Sequence, residues 1–240
     1  MFAALANPHR FMAFSRWAAP LLGVIALALI ATGLTLGFAA PEDYQQGDTV
    51  RIMFIHVPAA WTSMIAYAAL GGASLMSLVW RHALADAAAK AAAPLGAMFT
   101  GLALITGSLW GRPMWGTWWV WDARLTSVLL LFLLYLGYMA LRASIDDETK
   151  AGRAAAYLAL VGLINLPIIK FSVDWWNTLH QSSSTFRMGG GSGLAGVFAT
   201  PLYIMGLGYL AAFGALWLMR IRAEVWRRRA QSLALQAANP

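Results

Sequence analysis

Six apolar runs of nearly membrane-spanning length limit the possible folds of this chain more than any other feature. A helix needs about 20 mainly apolar residues to cross a bilayer. The runs cover residues 17–39, 57–80, 91–109, 125–141, 154–169 and 194–219. With 60% hydrophobic and 11% charged residues, a water-soluble globule is excluded. We predict an all-α polytopic membrane protein in which residues 1–240 form one six-helix bundle, with short interfacial helices on the outer side.

Two of the predicted spans have special features. The first run precedes Gly-Phe-Ala-Ala at 37–40 and could be mistaken for a cleaved signal peptide, but it exceeds the usual length of such a segment. We expect it to be retained. The fifth run contains Asn165 and Pro167, so we expect a bend there, with neighbouring helices satisfying the freed backbone groups.

The distribution of Lys and Arg predicts the orientation, because positive charge collects on cytoplasmic flanks. The N-terminus, the second and fourth connections and the C-terminal tail together carry 12 of the 17 Lys and Arg residues. Both termini are therefore predicted to be cytoplasmic. The tail arginines are Arg220, Arg222, Arg227, Arg228 and Arg229, and we expect them mainly to anchor the helix at membrane lipid headgroups. In so apolar a chain, the few charged residues indicate the membrane topology. They do not indicate a nucleic-acid partner.

One connection, residues 110–124, concentrates tryptophan. It holds five of the twelve Trp residues of the chain: Trp110, Trp115, Trp118, Trp119 and Trp121. Indole rings favour the headgroup level, so an aromatic belt is one interpretation. A belt, however, spreads single Trp residues over several helix ends. If residues 113–124 form short helical turns, Trp115, Trp119 and Asp122 share a face, which favours a platform for a large flat apolar ligand.

The histidines support the ligand interpretation. His9 and His82 fall in charged cytoplasmic flanks, where we expect them to be solvated. His56 precedes the second span, with Pro58 in its first turn, and His180 lies in the long connection after the fifth span. There Val173, Trp176 and His180 recur with the spacing of an interfacial helix. Together His56 and His180 are a plausible axial pair for a haem iron.

Other site chemistries fit the sequence less well. The chain has no cysteine, which excludes disulfides, thiolate ligands and c-type haem attachment. Two outer histidines are too few for a usual zinc site, and Ser182, His180 and Asp174 lack a nucleophile elbow. The Gly-rich residues 191–196 follow no strand, so they predict a loop and not a nucleotide site. For haem propionates, Arg124 is the first candidate and Arg51 the second.

Several stretches of the sequence match a known family. They are Trp-Gly-Arg-Pro-Met at 110–114, Trp-Gly-Thr-Trp-Trp-Val-Trp-Asp at 115–122, Asp-Ala-Arg-Leu-Thr-Ser at 122–127, Arg-Ile-Met-Phe-Ile-His-Val-Pro-Ala-Ala at 51–60 and Asn-Thr-Leu-His-Gln at 177–181. The second resembles the WWD motif of haem-handling proteins. Together they resemble the CcmC family, the haem-handling protein C of bacterial cytochrome c maturation. Larger haem-lyase relatives share the motif but have more spans than 240 residues allow.

The resemblance implies an inner-membrane protein that presents haem b at the periplasmic surface and passes it to the periplasmic haem chaperone CcmE. His56 and His180 would be the axial ligands, and Trp115, Trp118, Trp119, Trp121 and Asp122 would form the platform and the surface that faces the chaperone. CcmD and the ABC transporter subunits CcmA and CcmB would be further partners. Such a chain would be a transfer protein and not an enzyme.

Two other functions remain open. An electron-transferring membrane cytochrome b usually carries histidines inside facing spans, and we expect none inside these six. A haem transporter through the bundle would want polar groups at mid-membrane positions, where Asn165 is one of very few candidates.

Overall fold

The computed structural model describes residues 7–180 and 194–238, and in these ranges the protein is helical without a strand. The α-helices are α1 Pro8–Phe38, α2 Met53–Trp80, α3 Ala83–Trp115, α4 Ala123–Ser144, α5 Glu148–Gly162, α6 Asn165–Trp175 and α7 Gly196–Ala238. A short 3-10 helix, Asp48–Ile52, precedes α2. Within the described ranges, six segments are long and apolar enough to cross a membrane, the fifth comprising α5 and α6. The predicted all-α, multi-pass membrane fold is confirmed.

The helices extend beyond the apolar runs because polar side chains cap their ends. The Asn7 side chain accepts hydrogen bonds from the backbone of His9 and Arg10 at the start of α1. His82 Nδ1 accepts one from the Ala85 backbone at 3.3 Å, so α3 begins at Ala83 and not near residue 91. His82, which we expected to be a solvated residue, is therefore a helix cap.

The fifth span is interrupted where the sequence predicts a bend. Between α5 and α6 the backbone N–H groups of Leu163 and Ile164 bond three residues back, to the carbonyls of Leu160 and Val161, both at 3.2 Å. The Asn165 amide donates to the Ser127 carbonyl of α4 at 2.8 Å. A neighbouring helix thus accepts a hydrogen bond from the polar side chain at the break, whereas the Asn165 side-chain oxygen is buried without a hydrogen-bond partner among the described residues.

Helix α2 lies at the centre of the bundle, where it packs against α3, α5 and α7, while α1 packs mainly along α7. Glycines allow the α1–α7 approach, because Gly33 lies directly against Met205 and Gly208 against Ile30. The opposite face of α1 exposes apolar side chains such as Leu27, which is 72% exposed. Such a surface suits lipid and not water.

Ion pairs collect at the end of the bundle that carries residues 81–90, 142–153 and 220–229, here called the Arg-rich end. Asp86 accepts hydrogen bonds from Arg142 and Arg228, each at 2.6 Å. Glu224 accepts them from Lys90 at 3.1 Å and from Arg228 at 2.8 Å. These contacts tie α3, α4 and α7 together.

The network changes the interpretation of the C-terminal arginines. Arg227 pairs with Glu148 and Glu224, each at 2.6 Å, and Arg228 pairs with Asp86 and Glu224. Their charges are met within the chain because acidic side chains of α3, α5 and α7 converge on them. The expectation that the tail arginines mainly contact lipid headgroups is therefore wrong for these two.

Candidate functional site

A cavity of about 480 Å³ opens at the other end of the bundle, here called the WWD end, which carries residues 40–52, 110–124 and 176–180. Its volume lies in the range of small-molecule sites. Walls come from α2, α3, α4, α6 and the start of α7. Six of the residues predicted from the sequence line it: His56, Trp110, Trp115, Trp119, Arg124 and His180.

His56 lies inside α2, whereas we expected it before the second span and expected no histidine within any span. The 3-10 helix Asp48–Ile52 leads directly into α2 at Met53, so Pro58 falls beyond the first turn. A span does therefore contain a histidine near its end. His56 Nδ1 lies 3.0 Å from the Ala103 carbonyl and 3.2 Å from Thr106 Oγ1, both on α3. The Trp110 ring meets the imidazole edge-on at a centroid distance of 5.7 Å.

His180 lies in irregular chain, so the predicted interfacial helix through Val173, Trp176 and His180 is wrong. Helix α6 ends at Trp175, and Trp176 has an extended backbone. The His180 backbone N–H donates to Thr178 Oγ1 at 3.0 Å, and the Thr178 hydroxyl donates to the Asp122 carboxylate. The imidazole lies 6.0 Å from the Trp115 ring, centroid to centroid.

The Trp-rich connection does not form the helical turns considered above. Helix α3 continues to Trp115, and Gly116 then takes a left-handed backbone with φ +75° that ends it. Residues 117–122 are not helical, so Trp115, Trp119 and Asp122 do not share a helix face. Trp115 and Trp119 nevertheless line the same cavity.

The five tryptophans divide into two sets. Trp110, Trp115 and Trp119 line the cavity, whereas Trp118 and Trp121 are 55% and 75% exposed. Trp119 and Trp121 meet edge-on at 5.5 Å. The indole nitrogen of Trp119 is buried and has no hydrogen-bond partner among the described residues. A buried N–H without a partner is costly, so it marks a position where a bound group could accept a hydrogen bond.

Asp122 and Arg124 organise the rim of the cavity from the start of α4. Asp122 caps α4 by accepting from the Leu125 backbone N–H at 2.7 Å. It does not line the cavity itself. Arg124 Nη2 donates to the Lys170 carbonyl at 3.1 Å, so α4 is also tied to α6.

Arg51, the second candidate for binding a propionate, is not in the cavity lining. Its guanidinium pairs with Asp48 at 2.7 Å, because the two residues lie three apart in the 3-10 helix, and its Nε is buried without a hydrogen-bond partner among the described residues. Of the two arginine candidates, only Arg124 borders the cavity.

Several lining residues were not predicted from the sequence, notably Gln46, Trp61, Lys170 and Leu179. Gln46 accepts a hydrogen bond from Trp110 Nε1 at 3.0 Å and so fixes that ring from the first connection. A glutamine in a loop carries no motif that could have indicated this role. Lys170 could have been noticed as a cation at the end of an apolar span. Gln181, Ser182, Arg187 and residues 191–193 lie outside the described residues.

Comparison with known proteins settles the family. A family model described as Heme exporter protein C matches residues 1–236. The chain belongs to the Heme exporter protein C family. The protein of that name from Bradyrhizobium diazoefficiens is 60% identical over 235 residues, which cover 98% of this chain and 89% of the relative.

Two further relatives also match along most of their length. The Escherichia coli K12 protein is 48% identical over 219 residues, covering 91% of this chain and 88% of the relative. A ccmC-like mitochondrial protein of Marchantia polymorpha, named for cytochrome c biosynthesis, is 49% identical over 191 residues, covering 79% of this chain and 81% of the relative. The matched region 1–236 contains every described residue that lines the cavity.

Proposed function

We propose that this chain binds haem b in the cavity at the WWD end, with His56 and His180 as axial ligands, and passes it to the periplasmic haem chaperone CcmE. The names of the relatives support a role in haem handling for cytochrome c maturation, and they point to transport and assembly rather than catalysis. The observation that carries the proposal is that one cavity contains both histidines and three tryptophans.

The residues of the cavity fit a flat amphiphile that contains iron. Imidazole nitrogens are usual haem ligands, and bis-histidine ligation leaves the iron low-spin. The Trp110, Trp115 and Trp119 rings and apolar side chains of α2, α4 and α7 offer surface to the macrocycle. Arg124 and Lys170 border the same cavity on the α4 and α6 side, where cations would meet the propionates.

The two exposed tryptophans suit a contact with another protein. Trp118 lies under the Arg112 guanidinium at 5.9 Å, and Trp121 is the most exposed ring of the motif. Exposed aromatic and Arg side chains beside a ligand site are typical interface anchors. We propose that they face CcmE, and that CcmD and the ABC transporter subunits CcmA and CcmB bind the membrane part of the chain.

The proposed location is the bacterial inner membrane, with the WWD end in the periplasm and both termini in the cytoplasm. Basic residues dominate the Arg-rich end, which supports this orientation. Reporters fused after Asp48 and Gly116 should read periplasmic, and reporters after Asp147 and Gln231 cytoplasmic. If the reporters after Gly116 and Asp147 read the same side, the proposed topology is wrong.

A membrane cytochrome b remains the second candidate, because His56 lies within a span. Haem transfer separates the two functions. Detergent-purified protein loaded with haem is mixed with the haem-free soluble domain of CcmE, and the haem on each protein is measured after separation. We expect haem to move to CcmE, and Trp121→Ala to slow the movement without reducing loading. Haem that stays on this chain, with reversible reduction and oxidation, would favour the cytochrome.

A further inference from the structure

The imidazole of His56 is seated against one turn of α3. Its Nδ1 lies 3.0 Å from the backbone carbonyl of Ala103 and 3.2 Å from the hydroxyl of Thr106. Because a carbonyl can only accept a hydrogen bond, the neutral ring carries its proton on Nδ1 and donates it to Ala103. The basic lone pair is then on Nε2, the nitrogen that remains for a ligand.

Gly107 makes this seat possible. A Cβ at position 107 would lie 2.9 Å from Cε1 and 3.4 Å from Nδ1 of His56. Any side chain at this position would therefore push the ring away from Ala103 and Thr106. Since the nearby atoms belong to the end of a side chain, the ring can yield without disturbing the helix backbone.

Thr106 carries the polar part of the same seat. Its hydroxyl donates to the Leu102 carbonyl at 2.6 Å, one turn back along α3, which leaves its oxygen lone pairs directed towards the His56 N–H. A second acceptor beside Nδ1 holds the ring in one rotation and increases the electron donation of Nε2.

We propose that Gly107 and Thr106 are positioning residues for haem binding, which fix the rotation and the tautomer of His56 so that Nε2 points to the iron. This inference rests on the proposed function, because it takes His56 as an axial ligand. The α3 helix would then hold His56 of α2 in its binding orientation before haem arrives.

The test of Gly107 compares two glycines of the same helix. Gly107→Ala should weaken haem binding by on the order of 10- to 100-fold, the range found when the partner of a metal-bound histidine is lost. Gly101→Ala is the matched control, because the nearest atom to its new Cβ is Phe132 Cε2 at an ordinary 3.6 Å. The resonance Raman iron–imidazole bands of the bound haem should shift in Gly107→Ala and remain unchanged in Gly101→Ala.

The test of Thr106 compares two threonines of α3. Thr106 and Thr100 both donate to the carbonyl four residues back, Thr100 to Gly96 at 2.7 Å, but only Thr106 also contacts His56. Thr106→Val should raise the reduction potential of the bound haem, because a less donating imidazole stabilises the ferric iron less. Thr100→Val should leave the potential unchanged. This variant keeps the inference testable if Gly107→Ala does not fold.

The outcomes separate this inference from the function on which it rests. If wild-type protein binds haem through His56 but Gly107→Ala and Thr106→Val match their controls, the positioning role is wrong and the proposed function stands. If His56→Ala does not change the spectrum of the wild-type complex, both are wrong. Altered Raman bands in Gly107→Ala or an altered potential in Thr106→Val, with unchanged controls, supports the positioning role.

Discussion

The two ends of the bundle differ in how their polar side chains are paired. At the Arg-rich end, Asp86 and Glu224 each meet at least two cations, and their contacts join three helices. At the WWD end, Trp119 Nε1 and Arg51 Nε are buried without a hydrogen-bond partner among the described residues, and Trp119 lines a cavity. Departures from good local packing are expected where a protein binds something. One end therefore holds the helices together, and the other leaves room between them.

The largest expected effect of a single change lies at the Arg-rich end. Arg142 is 6% exposed and Asp86 is 18% exposed, so Asp86→Asn leaves the nearly buried Arg142 without its anion and leaves Arg228 paired with Glu224 alone. We expect the free energy of unfolding in detergent to fall by about 3 kcal/mol, with an unchanged haem spectrum in the protein that remains folded. Thermal unfolding followed by circular dichroism measures the change.

Lys150→Ala is the control for this prediction at the same end. Lys150 is 79% exposed and lies 4.0 Å from Asp147, so its loss should cost no more than about 0.5 kcal/mol. Equal destabilisation by Asp86→Asn and Lys150→Ala would show that the network does not hold this end together.

A pair of helix caps tests the two ends directly. Asp122 caps α4 at the WWD end, and Asp147 caps α5 at the Arg-rich end by accepting from the Thr149 and Lys150 backbone. Replacing either by Ala should cost about 1 kcal/mol of stability. Only Asp122→Ala also releases Thr178 and the segment that carries His180.

We therefore expect haem affinity to fall roughly 10-fold in Asp122→Ala, equivalent to about 1.4 kcal/mol, and to stay at the wild-type value in Asp147→Ala. Haem titration followed at the Soret band gives both affinities. Similar affinities in the two variants would mean that the link from Asp122 to His180 has no role in binding.

A smaller effect should separate a ligand platform from an aromatic belt. Trp119→Ala removes a ring that lines the cavity and should weaken haem binding roughly 2- to 10-fold, whereas Trp121→Ala should leave the affinity unchanged. In a belt any amphipathic ring serves, so Trp119→Tyr would be silent. In a platform with a ligand at the indole N–H, Trp119→Tyr also loses affinity. Equilibrium haem titration of the three variants decides between them.

The smallest effects are expected for tryptophans at the Arg-rich end. Trp226 is 53% exposed and lies under Arg229 at 5.6 Å, while Trp17 is 58% exposed. Ala at either position should lower the yield of membrane protein slightly and leave the haem titration curve unchanged. A changed haem titration curve in Trp226→Ala would contradict the proposed division of roles between the two ends.

The sequence predicts the spans well because crossing a bilayer requires long apolar runs, and nothing else in the chain competes with that pattern. It also predicts the interruption at Asn165. It singles out His56, His180 and Arg124, which line the same cavity as tryptophans of the WWD end. It misplaces helix ends, because a cap such as His82 or a left-handed glycine such as Gly116 sets them, and hydropathy does not register either residue.

The architecture around His56 is harder to predict, because it depends on pairs that are distant in the chain. Ala103 and Thr106 contact His56 from α3, and Gln46 contacts Trp110 from the first connection. Only the folded chain, in which α2 and the first connection pack on α3, brings these residues together. Local motifs indicated which residues belong to the site. The shape of the cavity and the division of the tryptophans into two sets became apparent only in the folded chain.

The most direct test of the central claim is the visible absorption spectrum of the haem-loaded protein in His56→Ala and His180→Ala. Wild-type protein should show a six-coordinate, low-spin haem with two imidazole ligands. Each variant should lose that spectrum and regain it with added imidazole, while His9→Ala, at an exposed position near the N-terminus, should match the wild type. Wild-type spectra in both His56→Ala and His180→Ala would contradict the claim that this cavity holds haem between these two histidines.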